Sequence, residues 1–211
     1  MSKVANSNDN KIRILFCGNI NVGKSCIIQR LITNNFIENY TPTVGVDFRS
    51  IYYQINQTKV QVNLLDIPGQ DRYNALTLSQ IRNVDGVVFV YDISDMDSFT
   101  DIINWQQKIQ SAAHENTFQT LLGNKCDLLD RQVPFNKGLE FAESKSMNFF
   151  ETSAKNGKDV VNSVQSLAQK IFCERLMNQN QQKNDENGTV KLQKSKLTFL
   201  NFFKGAYNYY C

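Results

Sequence analysis

The chain has 211 residues, 41% of them hydrophobic and 20% charged, which is enough for one domain with a sizeable core. No apolar run reaches the roughly 18 residues that a bilayer span requires, and Met1 to Lys11 lacks the apolar stretch of a signal peptide, so neither a spanning nor a secreted protein is expected. The net charge of +3 is not spread evenly: residues 1–177 balance 18 Lys+Arg against 18 Asp+Glu, while 178–211 set five lysines against Asp185 and Glu186. A neutral body argues against nucleic acid as a ligand, and a basic tail points to an anionic surface. Cys17, Cys26, Cys126, Cys173 and Cys211 show neither paired nor metal-binding spacing, which suits reduced thiols in the cytosol.

Along the chain, the apolar run Lys11–Cys17 predicts a buried strand that stops at Gly18. Ile27, Ile28, Leu31 and Ile32 recur at helical spacing, predicting a helix over Ser25–Ile32. Val46–Ile55 and Thr58–Ile67 read as strands of a hairpin turning at Asn56-Gln57. Gly86–Tyr91 is a continuous apolar run, as in a strand covered on both faces. A helix follows over Ser98–Ala113, with Asp97 as its expected cap. Then come a strand at Phe118–Leu122, a helix at Phe135–Lys145 with Pro134 in its first turn, a strand at Asn148–Phe150 and a helix at Asp159–Met177. Strands alternating with helices after a hairpin predict an α/β fold with a mainly parallel sheet, helices on both faces and the ligand beyond the carboxyl ends of the strands. The expected organisation is a polar extension at 1–10, a domain at 11–177 and a flexible tail at 178–211, the stretch from Asn178 being too polar to bury.

Four motifs fall just after candidate strands. Gly18-Asn19-Ile20-Asn21-Val22-Gly23-Lys24-Ser25 fits G-x-x-x-x-G-K-[ST] between a strand and a helix. Such a loop surrounds phosphates with backbone N–H groups, among them those of Asn21, Val22, Gly23 and Cys26. Lys24 would neutralise the outer phosphates and the Ser25 hydroxyl would bind Mg²⁺. The motif does not choose a base. Asp66-Ile67-Pro68-Gly69-Gln70 ends a strand: Asp66 suits Mg²⁺, Gly69 offers its N–H to the terminal phosphate, and Gln70 suits the orientation of an attacking water. Taken alone, these residues read equally as an Asp-initiated turn. In Asn124-Lys125-Cys126-Asp127 the Asp127 carboxylate can accept from the ring N–H and the amine of guanine, a donor pair adenine lacks. Asn124 would tie the loops together and the Lys125 stem would pack on the base. The fourth motif is Ser153-Ala154-Lys155.

These residues resemble the Ras superfamily of small GTPases, and within it the Rab branch, over roughly Lys11 to Met177. Tyr40-Thr41-Pro42-Thr43-Val44-Gly45-Val46-Asp47-Phe48 is similar to the Rab effector segment, and Phe150-Glu151-Thr152-Ser153-Ala154-Lys155 is written as Rabs write it. The resemblance implies a P-loop GTPase fold: a six-stranded, mostly parallel sheet with five helices and one antiparallel edge strand. It implies that Thr43 binds Mg²⁺ and the γ-phosphate, that Phe36 lies against guanine, and that Ala154 contacts the base oxygen through its backbone. It implies a slow GTPase and molecular switch in vesicle trafficking, monomeric and peripheral on the cytosolic face of an endomembrane. Its partners would be GTP and GDP, an exchange factor, a GTPase-activating protein and effectors. Two switch loops, around Thr43 and over Gly69–Arg82, would relax once hydrolysis removes the γ-phosphate.

Some positions depart from that pattern. Ile20 stands where Rabs carry a small residue, and by resemblance its side chain points to the space an arginine finger enters. Asn21 replaces Gly, but Asn tolerates positive φ. Pro68 replaces Ala and stiffens the loop. Leu65 and Gln80 replace the Trp and Tyr that, with Phe48, make the Rab effector patch, so only Phe48 remains aromatic there. The rival reading is a GTP-loaded scaffold with hydrolysis blocked by Ile20 and Pro68. Gln70 argues against it, because a frozen switch has less need of a water-orienting amide. In the tail, four lysines and six aromatics over Lys191–Cys211 suit an anionic lipid surface. Cys211 is the expected lipidation site, in a context that is neither the paired-cysteine nor the four-from-the-end pattern. Trp105 and Cys26 read as core, Cys126 as a thiol beside the base site, and His114 as solvated surface. If the steric argument at Ile20 holds, Ile20→Ser raises the hydrolysis rate measured with an activating protein; a wild type already as fast as ordinary Rabs under that stimulation overturns it.

Overall fold

The computed structural model describes residues 10–37, 43, 45–69 and 81–186, with side chains through 181. Two units divide the chain, Met1–Glu174 and Arg175–Cys211. The second is represented among the described residues by helical positions 175–186.

In the first unit the strands are β1 (Lys11–Cys17), β2 (Asp47–Ile55), β3 (Thr58–Asp66), β4 (Gly86–Asp92), β5 (Phe118–Asn124) and β6 (Asn148–Glu151), and they form one sheet in the order β2-β3-β1-β4-β5-β6. Only the β2–β3 pair is antiparallel, in register from Asp47 opposite Asp66 to Ile55 opposite Thr58. β1 runs parallel to β3 and β4, β4 to β5, and β5 to β6. The hairpin turns on Asn56 and Gln57, whose φ values of 46° and 64° are the two left-handed conformations a tight two-residue turn demands.

Among the described residues the helices with assigned bounds are α1 (Lys24–Thr33), α2 (Met96–Thr100), α3 (Ile102–Ala112), α4 (Phe135–Ser144) and α5 (Val160–Glu186). Alternation along the strands sorts the core into two layers. Ile12, Ile14 and Phe16 of β1, Val88 and Val90 of β4 and Leu122 of β5 face Ile27 and Ile28 of α1 and Val164, Leu167 and Ile171 of α5. Leu15, Val87, Phe89, Tyr91 and Leu121 face Phe99, Ile102, Trp105, Ile109 and Ala142 of α2, α3 and α4. The sheet thus has helices on both faces, and every residue of β4 is buried.

Three local expectations change. The helix expected over Ser98–Ala113 is two segments, pinched at Asp101. Thr100 Oγ1 bonds back to Met96 O at 3.0 Å, which bends helices, and the Asp101 carboxylate is drawn off to Asn19 and Asn104. The cap is Asp95 rather than Asp97: its side chain accepts from the N–H of Asp97 (3.0 Å) and of Ser98 (3.2 Å). Finally, α5 continues to Glu186, past the Met177 end expected from the sequence. Residues 178–186 contain no Gly or Pro, and their Gln, Lys and Glu are good helix formers that extend an existing helix without a new nucleus.

On the second face, Gly138 of α4 sits against the Tyr91 ring and Phe149. A Cβ added there would lie 2.5 Å from Tyr91 Oη and 2.7 Å from Phe149 Cζ. In an open helix Gly→Ala gains about 1 kcal/mol; here overpacking reverses the sign. Gly138→Ala is expected to destabilise by about 1–3 kcal/mol in urea unfolding at saturating nucleotide. Tyr91→Phe, which removes a buried hydroxyl lacking a hydrogen-bond partner among the described residues, is expected to recover part of that loss.

Candidate nucleotide site

The loop between β1 and α1 is shaped by close approaches. Gly18 has φ 141°, and a Cβ there would run into the Val90 carbonyl; Gly23 has φ 95°, and a Cβ there would strike the Asn124 amide. Asn21 takes φ 62°, the left-handed conformation Asn tolerates, and is exposed. At the start of α1, Lys24 is only 6% exposed, and its ammonium donates to the carbonyls of Gly18 (2.9 Å) and Asn19 (2.8 Å). Burial pulls its pKa below the ordinary lysine value, against the opposing pull of Asp66.

Three oxygen-bearing side chains meet beside it. Ser25 Oγ donates to Asp66 Oδ2, lies 3.0 Å from Thr43 Oγ1, and Thr43 Oγ1 is 3.3 Å from the same carboxylate oxygen. Asp66 closes β3 and is buried, and its Oδ1 has no hydrogen-bond partner among the described residues. Burial raises its pKa, while Ser25, Lys24 and Thr43 act in the opposite direction. Gly69 lies so close to the phosphate-type loop that a Cβ would collide with the backbone of Asn19 and Ile20. Ile20 is 42% exposed. With Gly69, Asp95, Asp101, Asn104, Trp105 and Lys108 it lines a cleft of about 340 Å³.

The other end of the site is built from the ends of β5 and β6. Asn124, 1% exposed, donates to the Val22 carbonyl (2.8 Å) and accepts from the Ala154 N–H (3.2 Å) and the Thr152 hydroxyl (3.3 Å). Lys125, at φ 64°, pairs with Asp92 at 2.6 Å. Ser153 donates to Asp127 Oδ1 at 2.5 Å and is itself fully buried; Lys155 is exposed. Cys26 and Cys126 are half-buried, and burial pushes both thiols up, so both stay protonated at neutral pH. Phe36 packs against the α1–α5 layer of the core. Gln70, Gln80 and Cys211 lie outside the described residues.

Expectations at single residues fare unevenly. His114 is exposed, as expected. Trp105 is core, but its ring N–H also donates to Asn19 Oδ1 (2.9 Å), while Asn19 Nδ2 donates to Asp101 (2.7 Å), a link from the loop to α3 without a sequence signal. Leu65 is not on the surface: it is fully buried, whereas Phe48, opposite it in the hairpin, is 53% exposed. The shorter aliphatic side chain joins the layer of Leu15, Ile67 and Ile81. Asp92, the partner of Lys125, lay beyond the apolar run expected over Gly86–Tyr91; the structure makes it the last residue of β4, the position Asp66 occupies in β3.

Comparison with known proteins gives the context of this geometry. A sequence model of the Ras family matches residues 13–173. The GTP-binding protein YPT1 of Saccharomyces cerevisiae is 33% identical over 194 residues, which is 90% of this chain and 94% of that protein. The Ras-related protein Rab-13 of Bos taurus is 36% identical over 182 residues, 84% of this chain and 90% of its own. The GTP-binding protein ypt1 of Schizosaccharomyces pombe is 33% identical over 185 residues, 87% and 91%. With that coverage over a six-stranded sheet carrying all four loops at one edge, the chain belongs to the Ras family and, within it, to the Rab branch of small GTPases.

Proposed function

We propose that this protein binds GTP, hydrolyses it slowly and uses the difference between the GTP and GDP states to recruit partners in vesicle trafficking. The observation that carries the reading is the meeting of Ser25, Thr43 and Asp66 beside the buried Lys24 ammonium, an arrangement made for a metal-bound phosphate chain.

The residues fit magnesium. Two hydroxyls and a carboxylate are hard oxygen donors, and the buried Asp66 Oδ1 lacks a partner among the described residues, so the site has an acceptor to offer. Ser25 and Thr43 would ligate Mg²⁺, with Asp66 behind them; when bound, the ion neutralises charge on the β- and γ-phosphate oxygens. Lys24 holds two loop carbonyls and keeps a third N–H for a phosphate oxygen. The N–H groups of Asn21, Val22, Gly23, Ser25 and Cys26 surround the phosphates, and Gly69 offers its N–H to the terminal one. Gln70 orients the attacking water.

At the base, Asp127 accepts from the ring N–H and the amine of guanine, its carboxylate turned by Ser153. The Lys125 stem, held by Asp92, packs on the base, and Phe36 lies against the guanine. Ala154 contacts the base oxygen through its backbone, sharing its N–H between Asn124 Oδ1 and the base, with Lys155 beside it. Loss of the γ-phosphate frees the loops around Thr43 and Gly69, so effectors distinguish the two states. An exchange factor and an activating protein complete the cycle. The lysines and aromatics of 191–211, with a lipid on Cys211, hold the protein to the cytosolic face of an endomembrane, since one lipid needs a second signal for stable anchoring. No helix among the described residues is long and apolar enough to cross the membrane.

Stripped of nucleotide and reloaded, the full chain is expected to take GDP over ADP. Asp127→Ala should cut that preference by at least about a hundredfold, the worth of two hydrogen bonds to a charged group. Equal uptake of both nucleotides by the wild type ends the guanine reading. In single-turnover assays bound GTP should decay slowly and Gln70→Leu should slow it by at least about tenfold; no decay in the wild type would leave a scaffold instead of a switch. Flotation with vesicles containing anionic lipid should weaken with added salt and fall further for Cys211→Ser protein isolated from cells.

A further inference from the structure

Arg30 belongs to none of the four motifs, yet its side chain reaches the loop proposed to read the base. Nε donates to the carbonyl of Ala154 at 2.8 Å, Nη2 donates to the carbonyl of Lys155, and Nη1 donates to Asn34 at the end of its own helix, 2.5 Å away. One edge of the guanidinium therefore grips two successive carbonyls more than a hundred residues further along the chain. Its stem passes 3.8 Å from the Cβ position of Gly157, which closes the same loop at φ 87°.

These bonds complete a set. The peptide unit before Ala154 is held by its N–H on Asn124 Oδ1, and the next two units are held by their carbonyls on Arg30. Three consecutive units of the loop are fixed, two of them by a single side chain. That side chain is borne by the helix whose first residues, Lys24 and Ser25, form the phosphate end of the site. Arg30 lies six positions along α1 from Lys24, a rise of about 9 Å. A stiff helix thus sets the distance between the phosphate cradle and the base loop. Arginine suits the task because its planar fork presents its donors to successive carbonyls in a fixed array, whereas a lysine ammonium is a compact point charge on a flexible stem.

We propose that Arg30 is the positioning residue for base recognition: it sets the Ala154 and Lys155 backbone at the offset from the phosphate cradle that a guanine nucleotide requires. The inference rests on the guanine reading proposed above. It goes beyond that reading in assigning part of purine selectivity to a residue that touches neither base nor phosphate.

The test uses the full chain, loaded with fluorescent GDP and challenged with unlabelled GDP or ADP. Arg30→Ala is expected to speed GDP dissociation by about tenfold or more and to lower the GDP-over-ADP preference by a similar factor, with weak ADP binding little changed. Arg30→Lys keeps the charge but loses the fork, and should remain closer to Arg30→Ala than to wild type. Arg30→Gln, with a planar amide that still donates to a carbonyl, should recover part of the preference. Should Arg30→Ala fail to fold, the Lys and Gln variants carry the same comparison. Equal loss of affinity for GDP and ADP would mark Arg30 as a merely structural support and overturn the inference, as would an unchanged preference in all variants. A wild type without preference sinks the guanine reading and this inference together; a selective wild type with unaffected variants sinks this inference alone.

Discussion

Asn124 is the knot that holds the site. It is buried at the end of β5, and its amide works in both directions at once, donating to Val22 in the loop before α1 and accepting from Ala154 and Thr152 in the loop after β6. An aspartate could not donate to Val22, and an alanine would leave a buried carbonyl and a buried N–H unpaired, each loss worth about 1–3 kcal/mol. Because Val22 precedes the residues proposed to surround phosphates and Ala154 belongs to the proposed base loop, the relative position of the two ends depends on this side chain together with Arg30 of α1.

The sheet explains why such a knot is possible. β1, β3, β5 and β6 all deliver their carboxyl ends to the same edge, where the loop after Cys17, Asp66, Asn124 and Thr152–Lys155 follow directly. Strict alternation along β1 and β4 supplies two core layers, one against α1 and α5, the other against α2, α3 and α4. The layers fix the strands from both faces, so the loops are positioned by a rigid scaffold. The polar groups buried at that edge are mostly those proposed for the site, including Lys24, Asp66, Asn124 and Ser153. Burying them costs stability, and in a Rab-branch GTPase that cost is recovered when ligand binds to the folded state.

The second face contributes more than packing. Trp105 and Asp101 take hold of both ends of the Asn19 side chain, while the Asn19 carbonyl accepts from Lys24. The pinch between α2 and α3 at Asp101 is thus joined to the loop around the Lys24 ammonium. Ile20, 42% exposed, opens onto the cleft beside this contact.

Much of the molecule was legible from residues close together in the chain. The strand at Lys11–Cys17 and the hairpin turn at Asn56-Gln57 follow from apolar periodicity and turn chemistry, and the site motifs follow from the chemistry of short loops after strands. Local signals misled where helix ends compete: Asp95 and Asp97 are equally plausible caps by residue type, and backbone geometry chose Asp95. The polar run from Asn178 has no core to bury, yet it remains helical to Glu186 because a helix already begun needs no new nucleus and meets no Gly or Pro there. Other features were beyond the sequence. The burial of Leu65 beside an exposed Phe48, the pairing of Lys125 with Asp92, the hold of Trp105 on Asn19 and the grip of Arg30 on Ala154 join residues far apart in the chain. Periodicity reports which face of an element is apolar, whereas these partners are set by which strand lies beside which, and that is decided only when the whole sheet has closed around its two cores.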